Sequence, residues 1–211
     1  MIPIPPDYDK AQAYDGSPLP QVTPGGHICL IKGARLEKSK NTNKYMLVVA
    51  FDIHENGEFD DIYKARFERA KNYRADAKWP GMYYCLIYNN EGGTNSRFKG
   101  FIQAVEESNT GYNFRATNGD ENTLKGKVVG FNFGEEEREL TNPTTGEIRV
   151  VIDCKPAYAV SVARIREGVI PPARKLLQNS TARGQNPNAP FAGQQAGSQG
   201  FTEVEEDDLP F

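Results

Sequence analysis

Histidine, tryptophan and cysteine are scarce in this chain. Its 211 residues include two histidines, one tryptophan and three cysteines. Cys29, Cys85 and Cys154 lie far apart, form no Cys-x-x-Cys pair, and each sits in an apolar, strand-like run. They read as buried reduced thiols, not as a disulfide framework or a zinc cage. His27 and Cys29 share a strand face by alternation, but two ligands do not make a zinc site. No apolar run approaches the ~20 residues that span a bilayer. The opening stretch, residues 1–6, lacks the charged and apolar regions of a signal peptide, so the expected location is the cytoplasm. A Walker loop, a Gly-x-Ser-x-Gly elbow and a histidine cluster are all missing, so no cofactor and no enzyme class is indicated. Asp60-Asp61 and Glu135-Glu136-Glu137 are the acids a metal-dependent nuclease would use. Neighbouring residues of a strand point to opposite faces, so each group converges few ligands on a metal.

Positive charge is also short overall, with a formal net charge of −3. The shortage is uneven. Residues 179–211 carry Arg183 against five acids, a net of −4, and residues 1–24 carry Lys10 against three, a net of −2. The middle of the chain is therefore +3. That is mildly basic, enough for a polyanion only if the cations gather on one face.

Residues 1–24 are rich in proline and polar residues without a period, and read as an extended arm. Structured sequence follows. Residues 27–36 predict a strand, and Ser39 to Lys44 a polar turn. Tyr45–Ile53 is the strongest strand signal, with Tyr45, Leu47, Val49, Phe51 and Ile53 on one face. Asn56-Gly57 is a hairpin signal, and residues 59–67 predict a third strand with charges at alternate positions. Ser96–Ser108 predicts a helix, because Phe98, Phe101, Ile102 and Val105 recur at helical spacing. Residues 127–137 and 147–154 predict two strands joined by a loop at 142–146. Val162–Glu167 predicts a short helix. From 178 the composition turns to Gly, Gln, Asn, Ala and Pro, a disordered linker.

Five strands with one helix between the third and fourth predict an all-β chain with one or two helices. The expected architecture is an OB-fold, a small five-stranded barrel, followed by a disordered C-terminal tail. The domain boundaries are then an arm at 1–24, the barrel at 25–177, a linker at 178–202 and an acidic segment at 203–211. In an OB-fold the second and third strands and their loops face nucleic acid. Aromatics interleaved with cations are the pattern that binds an unpaired strand, through base stacking and phosphate contacts. The densest such stretch runs from Tyr63 to the tyrosine pair Tyr83-Tyr84, and from it Tyr63, Lys64, Arg66, Phe67, Arg69, Lys71, Tyr73, Arg74, Lys78, Trp79 and Tyr83 are the expected strand-binding residues. A second basic group, Lys38, Lys40 and Lys44, lies on the loop between the first two strands.

The last nine residues read Glu-Val-Glu-Glu-Asp-Asp-Leu-Pro-Phe. A solubility tail gains nothing from an apolar end. A docking peptide does: acids steer it to a basic surface, and a terminal aromatic with its carboxylate fills a pocket. Asp207, Asp208, Leu209, Pro210 and Phe211 are the expected partner-binding residues. This ending resembles the acidic tip of bacterial-type single-stranded DNA-binding proteins, which implies recruitment of replication, recombination and repair enzymes. The body has its own resemblance. Pro24-Gly25-Gly26, Lys32-Gly33-Ala34-Arg35, residues 46–53, Lys78-Trp79-Pro80-Gly81, Phe98-Lys99-Gly100-Phe101, Glu106-Glu107-Ser108-Asn109, Leu124-Lys125-Gly126-Lys127 and Arg164-Ile165-Arg166-Glu167-Gly168 carry it. Over roughly residues 24–176 the order of these motifs is similar to a family of single-stranded DNA-binding proteins of bacteriophages with Gram-positive hosts. The resemblance implies an OB-fold, a role in phage DNA replication or recombination, and a host-cell cytoplasmic location. The opening strand pattern is not that of ordinary bacterial single-stranded DNA-binding proteins, so their tetramer is not implied and a homo-oligomer of another kind is left open. The expectation is a non-enzymatic, sequence-tolerant single-stranded DNA-binding protein. Its rivals are a recombination mediator or adaptor whose barrel binds protein and, third, a metal-dependent nuclease.

Overall fold

The computed structural model describes residues 3–6, 8–9, 18–40, 42–55, 57–142 and 145–177. The chain is mostly β, with one five-stranded antiparallel sheet and few helices. The strands are β1 (Gly25–Lys38), β2 (Tyr45–Ile53), β3 (Met82–Leu86), β4 (Val128–Thr141) and β5 (Ile148–Val160). Their order in the sheet is β3-β2-β1-β4-β5. The helices are α1 (Ile62–Lys71), α2 (Ser96–Ser108) and α3 (Val162–Glu167). Among the described residues no helix is long and apolar enough to cross a membrane.

Alternation along the strands makes the core. Leu47, Val49, Phe51 and Ile53 of β2 share its inner face with Tyr83 and Cys85 of β3 and with Val129, Phe131 and Phe133 of β4. The rings of Phe51 and Phe131 lie 4.9 Å apart, and Phe101 of α2 stacks on Phe131 at 6.2 Å. Such pairs add stability beyond the area they bury. α2 carries its predicted stripe inward, with Phe101, Ile102 and Val105 buried. Its start is capped by Asn95, whose side chain accepts from the Arg97 amide, which satisfies a donor the helix cannot.

Two expectations need correction. Residues 59–67 are not a strand: Gly57–Phe59 is a 3₁₀ turn, and α1 follows. Helix formers dominate 64–71, and Asp52 supplies a nucleus. Its buried carboxylate accepts from the Tyr63 amide at 2.9 Å and the Lys64 amide at 3.0 Å. The third strand lies instead at Met82–Leu86. The second correction concerns closure. The sheet does not close into a barrel, because β3 and β5 stand at its two ends and do not pair among the described residues. β3 is only five residues long, and α2 packs against β3, β4 and β5 across the gap. A cleft of about 260 Å³ remains there, lined in part by Arg97, Phe101 and Tyr158. The linker and tip expected at 178–202 and 203–211 lie outside the described residues, as does most of the arm between 7 and 17.

Asp52 has a testable energetic signature. Burial holds its carboxyl above the ordinary 3.8, against three backbone N–H bonds that pull it down. A raised value means that its contribution to stability is full below 3.8 and declines as pH rises through the folded-state value. Asp52→Ala, which strands the amides at the start of α1, should cost about 1–3 kcal/mol. In urea denaturation the margin of the wild type over Asp52→Asn should narrow from acid to neutral pH. A margin that widens would mean the amide bonds outweigh burial.

Candidate nucleic-acid interface

The sheet has a second, outward face, and register defines it. Arg35 of β1 stands opposite Val48 of β2, and Val48 opposite Tyr84 of β3. Gly33, Ala50 and Met82 form the row on one side, and Glu37, Met46 and Leu86 the row on the other. These nine residues make a grid on the face opposite the aromatic core. A bulge creates it. The register of β1 slips between Ile31 and Gly33, so Lys32 is the extra residue and everything after it changes side. Lys32 itself reaches Asp61, with Nζ and Oδ1 3.5 Å apart.

The grid has an apolar floor and a polar rim. Val48 and Met46 are each 1% exposed, sealed beneath their neighbours. A shallow pocket of about 150 Å³ opens over Gly33, Arg35, Val48 and Ala50. A Cβ on Gly33 would meet nothing within 4 Å, so the pocket exists because that side chain is missing. Tyr84 is half-buried, and burial raises its phenol above the usual value, with Arg35 opposing the shift and Glu37 reinforcing it. Arg35 Nε donates to Glu37. An aromatic ring and a guanidinium bordering an apolar floor are the groups on which a planar base could stack.

The loop between β1 and β2 lies beyond the end of the grid, and the last pair before it, Lys38 and Tyr45, has the parity of Leu47 and stands on the opposite face. Lys38 lies over the Tyr45 ring at 5.1 Å, Lys44 Nζ donates to Asn90 Oδ1, and Lys40 is exposed. Leu36 and Tyr45, on the core-side face at this end of the sheet, are 47% and 44% exposed, and Tyr88 is 47% exposed. Lys38 is thus brought against an aromatic ring, Tyr45, that the expected stacking set did not include.

The stretch with the densest expected contacts folds elsewhere. Lys64, Arg66, Arg69 and Lys71 belong to α1, which meets the far end of β2, and Tyr73, Arg74 and Lys78 follow it. β2 separates them from the β1–β2 loop by roughly 25–30 Å. Lys64, Lys71, Arg74 and Lys78 are exposed, and Tyr73 is 74% exposed. Arg66 is a strut: its guanidinium donates to the Pro20 carbonyl at 2.8 Å and holds the arm against α1.

Four of the expected stacking rings are committed to packing. Tyr63 is 5% exposed and meets Phe51 edge-on at 5.4 Å. Tyr83 is 2% exposed, accepts from Arg97 Nε at 3.1 Å, and has its phenol pushed up to about 12 by burial. Neither offers a face to a base, so both are corrected to core residues. Phe67 and Trp79 are half-buried against each other at 5.4 Å. The Trp79 indole donates to the Phe51 carbonyl at 2.9 Å. Of the tyrosine pair, Tyr84 is the one on the outward face. Strand parity could have found it, because one of two adjacent tyrosines must face away from the core.

Among the described residues no group of three or more His, Cys, Asp or Glu side chains could hold an ion. Asp61 and Glu135 are each drawn into ion pairs, with Lys32 and Arg174. Asp207, Asp208, Leu209, Pro210 and Phe211 lie outside the described residues. No protein-family model matches the chain, and no curated protein is similar to it.

Trp79 therefore carries a stability prediction. Trp79→Ala removes partly buried ring area and leaves the Phe51 carbonyl without its indole donor. It should destabilise the fold by about 2–4 kcal/mol in chemical denaturation. A melting curve unchanged by the substitution would return Trp79 to the set of free stacking rings.

Proposed function

We propose that this chain binds single-stranded DNA with little sequence preference, over the outward face of β1, β2 and β3 and the β1–β2 loop. The outward row Arg35–Val48–Tyr84, with Lys40 and Lys44 in the loop beyond its end, is the observation that carries the reading, while Lys38 extends the positive charge onto the other face of β1. Stacking is indifferent to base identity, because every base has a π-face, and cations along the path add affinity by releasing counterions. The strand order supports the same reading. β1 pairs with both β2 and β4, a helix lies between β3 and β4, and the gap is between β3 and β5. These are the features of a partly open OB-fold, in which this face and this loop take up oligonucleotides. The exposed cations of α1, with Tyr73, Arg74 and Lys78, extend the path beyond the far end of β2. The motif resemblance to phage single-stranded DNA-binding proteins points the same way.

A second activity belongs to the C-terminal segment. Residues 203–211, through Asp207, Asp208, Leu209, Pro210 and Phe211, recruit replication or recombination proteins to the covered strand. The separation in sequence between this segment and the sheet makes the two functions energetically separable.

Fluorescence polarisation with a labelled oligo-dT tests the strand-binding role. Tyr84→Leu keeps apolar bulk but removes the π-face. It should weaken binding by ~1–3 kcal/mol at an unchanged melting temperature. Arg35→Ala should lower the magnitude of the log–log salt slope by about 0.7 if it holds one phosphate. Equal affinity for duplex, or binding flat in salt, would favour a protein-binding adaptor, and degradation of the probe on adding Mg²⁺ would favour a nuclease.

Deletion of Leu209-Pro210-Phe211 tests the recruiting role. DNA affinity should be unchanged, while capture of a replication or recombination protein from host lysate should be lost. Recovery of the same proteins with and without these three residues would leave the segment with no docking role.

A further inference from the structure

The sheet has a long unpaired edge, and its sequence is complementary to itself. β5 is the last strand of the order, and among the described residues nothing pairs with its outer side. From Pro156 to Ile148 its register against β4 runs unbroken. The Asn142 amide donates to the Glu147 carbonyl at 2.8 Å, so Glu147 directs its backbone toward β4. Alternation then turns the N–H and C=O groups of Ile148, Val150, Ile152 and Cys154 outward. Pro156 falls on the same outward parity, where a residue without an N–H ends any further ladder. Gly146, at φ 70°, bounds the other end. The free edge is therefore residues 147–155, and Ile152 on it is 49% exposed.

A two-fold axis through an antiparallel strand pair must set residues of equal parity opposite each other. We propose that a second copy of this chain pairs with β5 along this edge, with Val151 on the axis. In that register Ile148 faces Cys154 and Val150 faces Ile152, each twice, and all four are residues whose backbone points outward. The charges agree. Arg149 faces Asp153 of the second copy, and Glu147 faces its Lys155. Moving the axis one residue either way sets Glu147 against Asp153 or Arg149 against Lys155, like charges directly opposed, which is unfavourable. Asp153 and Lys155 already form ion pairs with Arg138 and Glu136 on β4. Arg149 and Glu147 form none within the chain among the described residues. The pairing would give each a partner while covering an edge of the kind that otherwise invites aggregation. The contact is isologous, the same patch on both copies, so it closes at a dimer and does not propagate. It does not depend on the single-stranded DNA reading.

Light scattering on the full chain should give twice the 23.5 kDa chain mass at tens of micromolar. Val150→Pro removes an outward N–H that β4 does not use, so it should keep the circular dichroism spectrum and yield the monomer mass. Arg149→Glu, an exposed change, should also shift the chain toward monomer, by opposing Asp153 with a like charge. Val151→Cys supplies the register. The Cα of position 151 would lie about 4.5 Å from its own counterpart in the second copy, within disulfide reach. Mild oxidation of the Val151→Cys variant should link the two copies through position 151, as identified by peptide mapping, and give a covalent dimer. A monomeric wild-type chain at these concentrations overturns the proposal. So does a dimer that survives Val150→Pro and Arg149→Glu and gives no disulfide at position 151.

Discussion

Phe51 is the residue on which the two halves of this fold depend. Its ring meets Tyr63 of α1 at 5.4 Å, Phe131 at 4.9 Å and Phe133 at 6.1 Å. Its backbone is committed as fully. The amide donates to the Gly81 carbonyl at 2.9 Å, and the carbonyl accepts the Trp79 indole. The approach of residue 81 is close enough that a Cβ there would lie 2.3 Å from the Phe51 oxygen. Only glycine fits. One position of β2 thus fixes the sheet, the helix after it and the return of the chain into β3. Lys78-Trp79-Pro80-Gly81, polar at both ends in sequence, is therefore an anchoring corner, with its ring turned inward.

How much was legible follows from where one period dominates. β2 at Tyr45–Ile53, α2 at Ser96–Ser108 and α3 at Val162–Glu167 have the bounds the pattern predicts. In β2 and α2 a strong apolar repeat has a single interpretation. Residues 59–67 do not have one. Their charges at alternate positions fit a strand, but they also fit a weakly amphipathic helix. The deciding contact is Asp52, ten residues or more upstream, whose carboxylate reaches the Tyr63 and Lys64 amides. A long-range hydrogen bond leaves no local trace. The candidate site was half legible for a related reason. Composition pointed to lysines on the first loop and to a tyrosine pair on β3. The bulge at Lys32, which turns Arg35 outward, is a register event visible only once β1 is paired with β2. Closure failed for a reason of length: a five-residue β3 cannot reach across to β5 while α2 fills the gap.

Charge is separated along the molecule in a way the net value hides. The run Glu135-Glu136-Glu137 on β4 is met by Lys155 from β5 and by Arg174 from the segment after α3. That segment also joins the backbone of β4, with the Lys175 amide donating to the Glu135 carbonyl at 2.9 Å. Acids that a sequence reading could assign to a metal are thus neutralised within the β4–β5 side of the sheet. Among the described residues no ion pair is formed by Lys38, Lys40 or Lys44. On the outward grid Arg35 is paired with Glu37, so in the proposed reading Lys40 and Lys44 carry the positive charge left for a polyanion.

The placement of the grid behind the aromatic core has a mechanical consequence. Val48 and Val49 are neighbours in β2, at 1% and 0% exposure, one beneath the platform and one inside the core. Tyr84 and Tyr83 repeat the relation in β3. Each outward residue is therefore fixed by an inward neighbour that cannot move without opening the core. A stacking surface built on loops would have to be ordered on binding, at an entropic cost that lowers affinity. Under the proposed role, a face built on three paired strands would need no such ordering of its backbone. The same rigidity limits specificity. An apolar floor of Gly33, Val48 and Ala50 presents no hydrogen-bonding side chain to a base edge. Discrimination among bases would require donors or acceptors that read those edges, and this floor supplies a flat apolar contact with a guanidinium and a phenol at its border. In the proposed reading, tolerance of sequence would follow from which residues point outward from three strands.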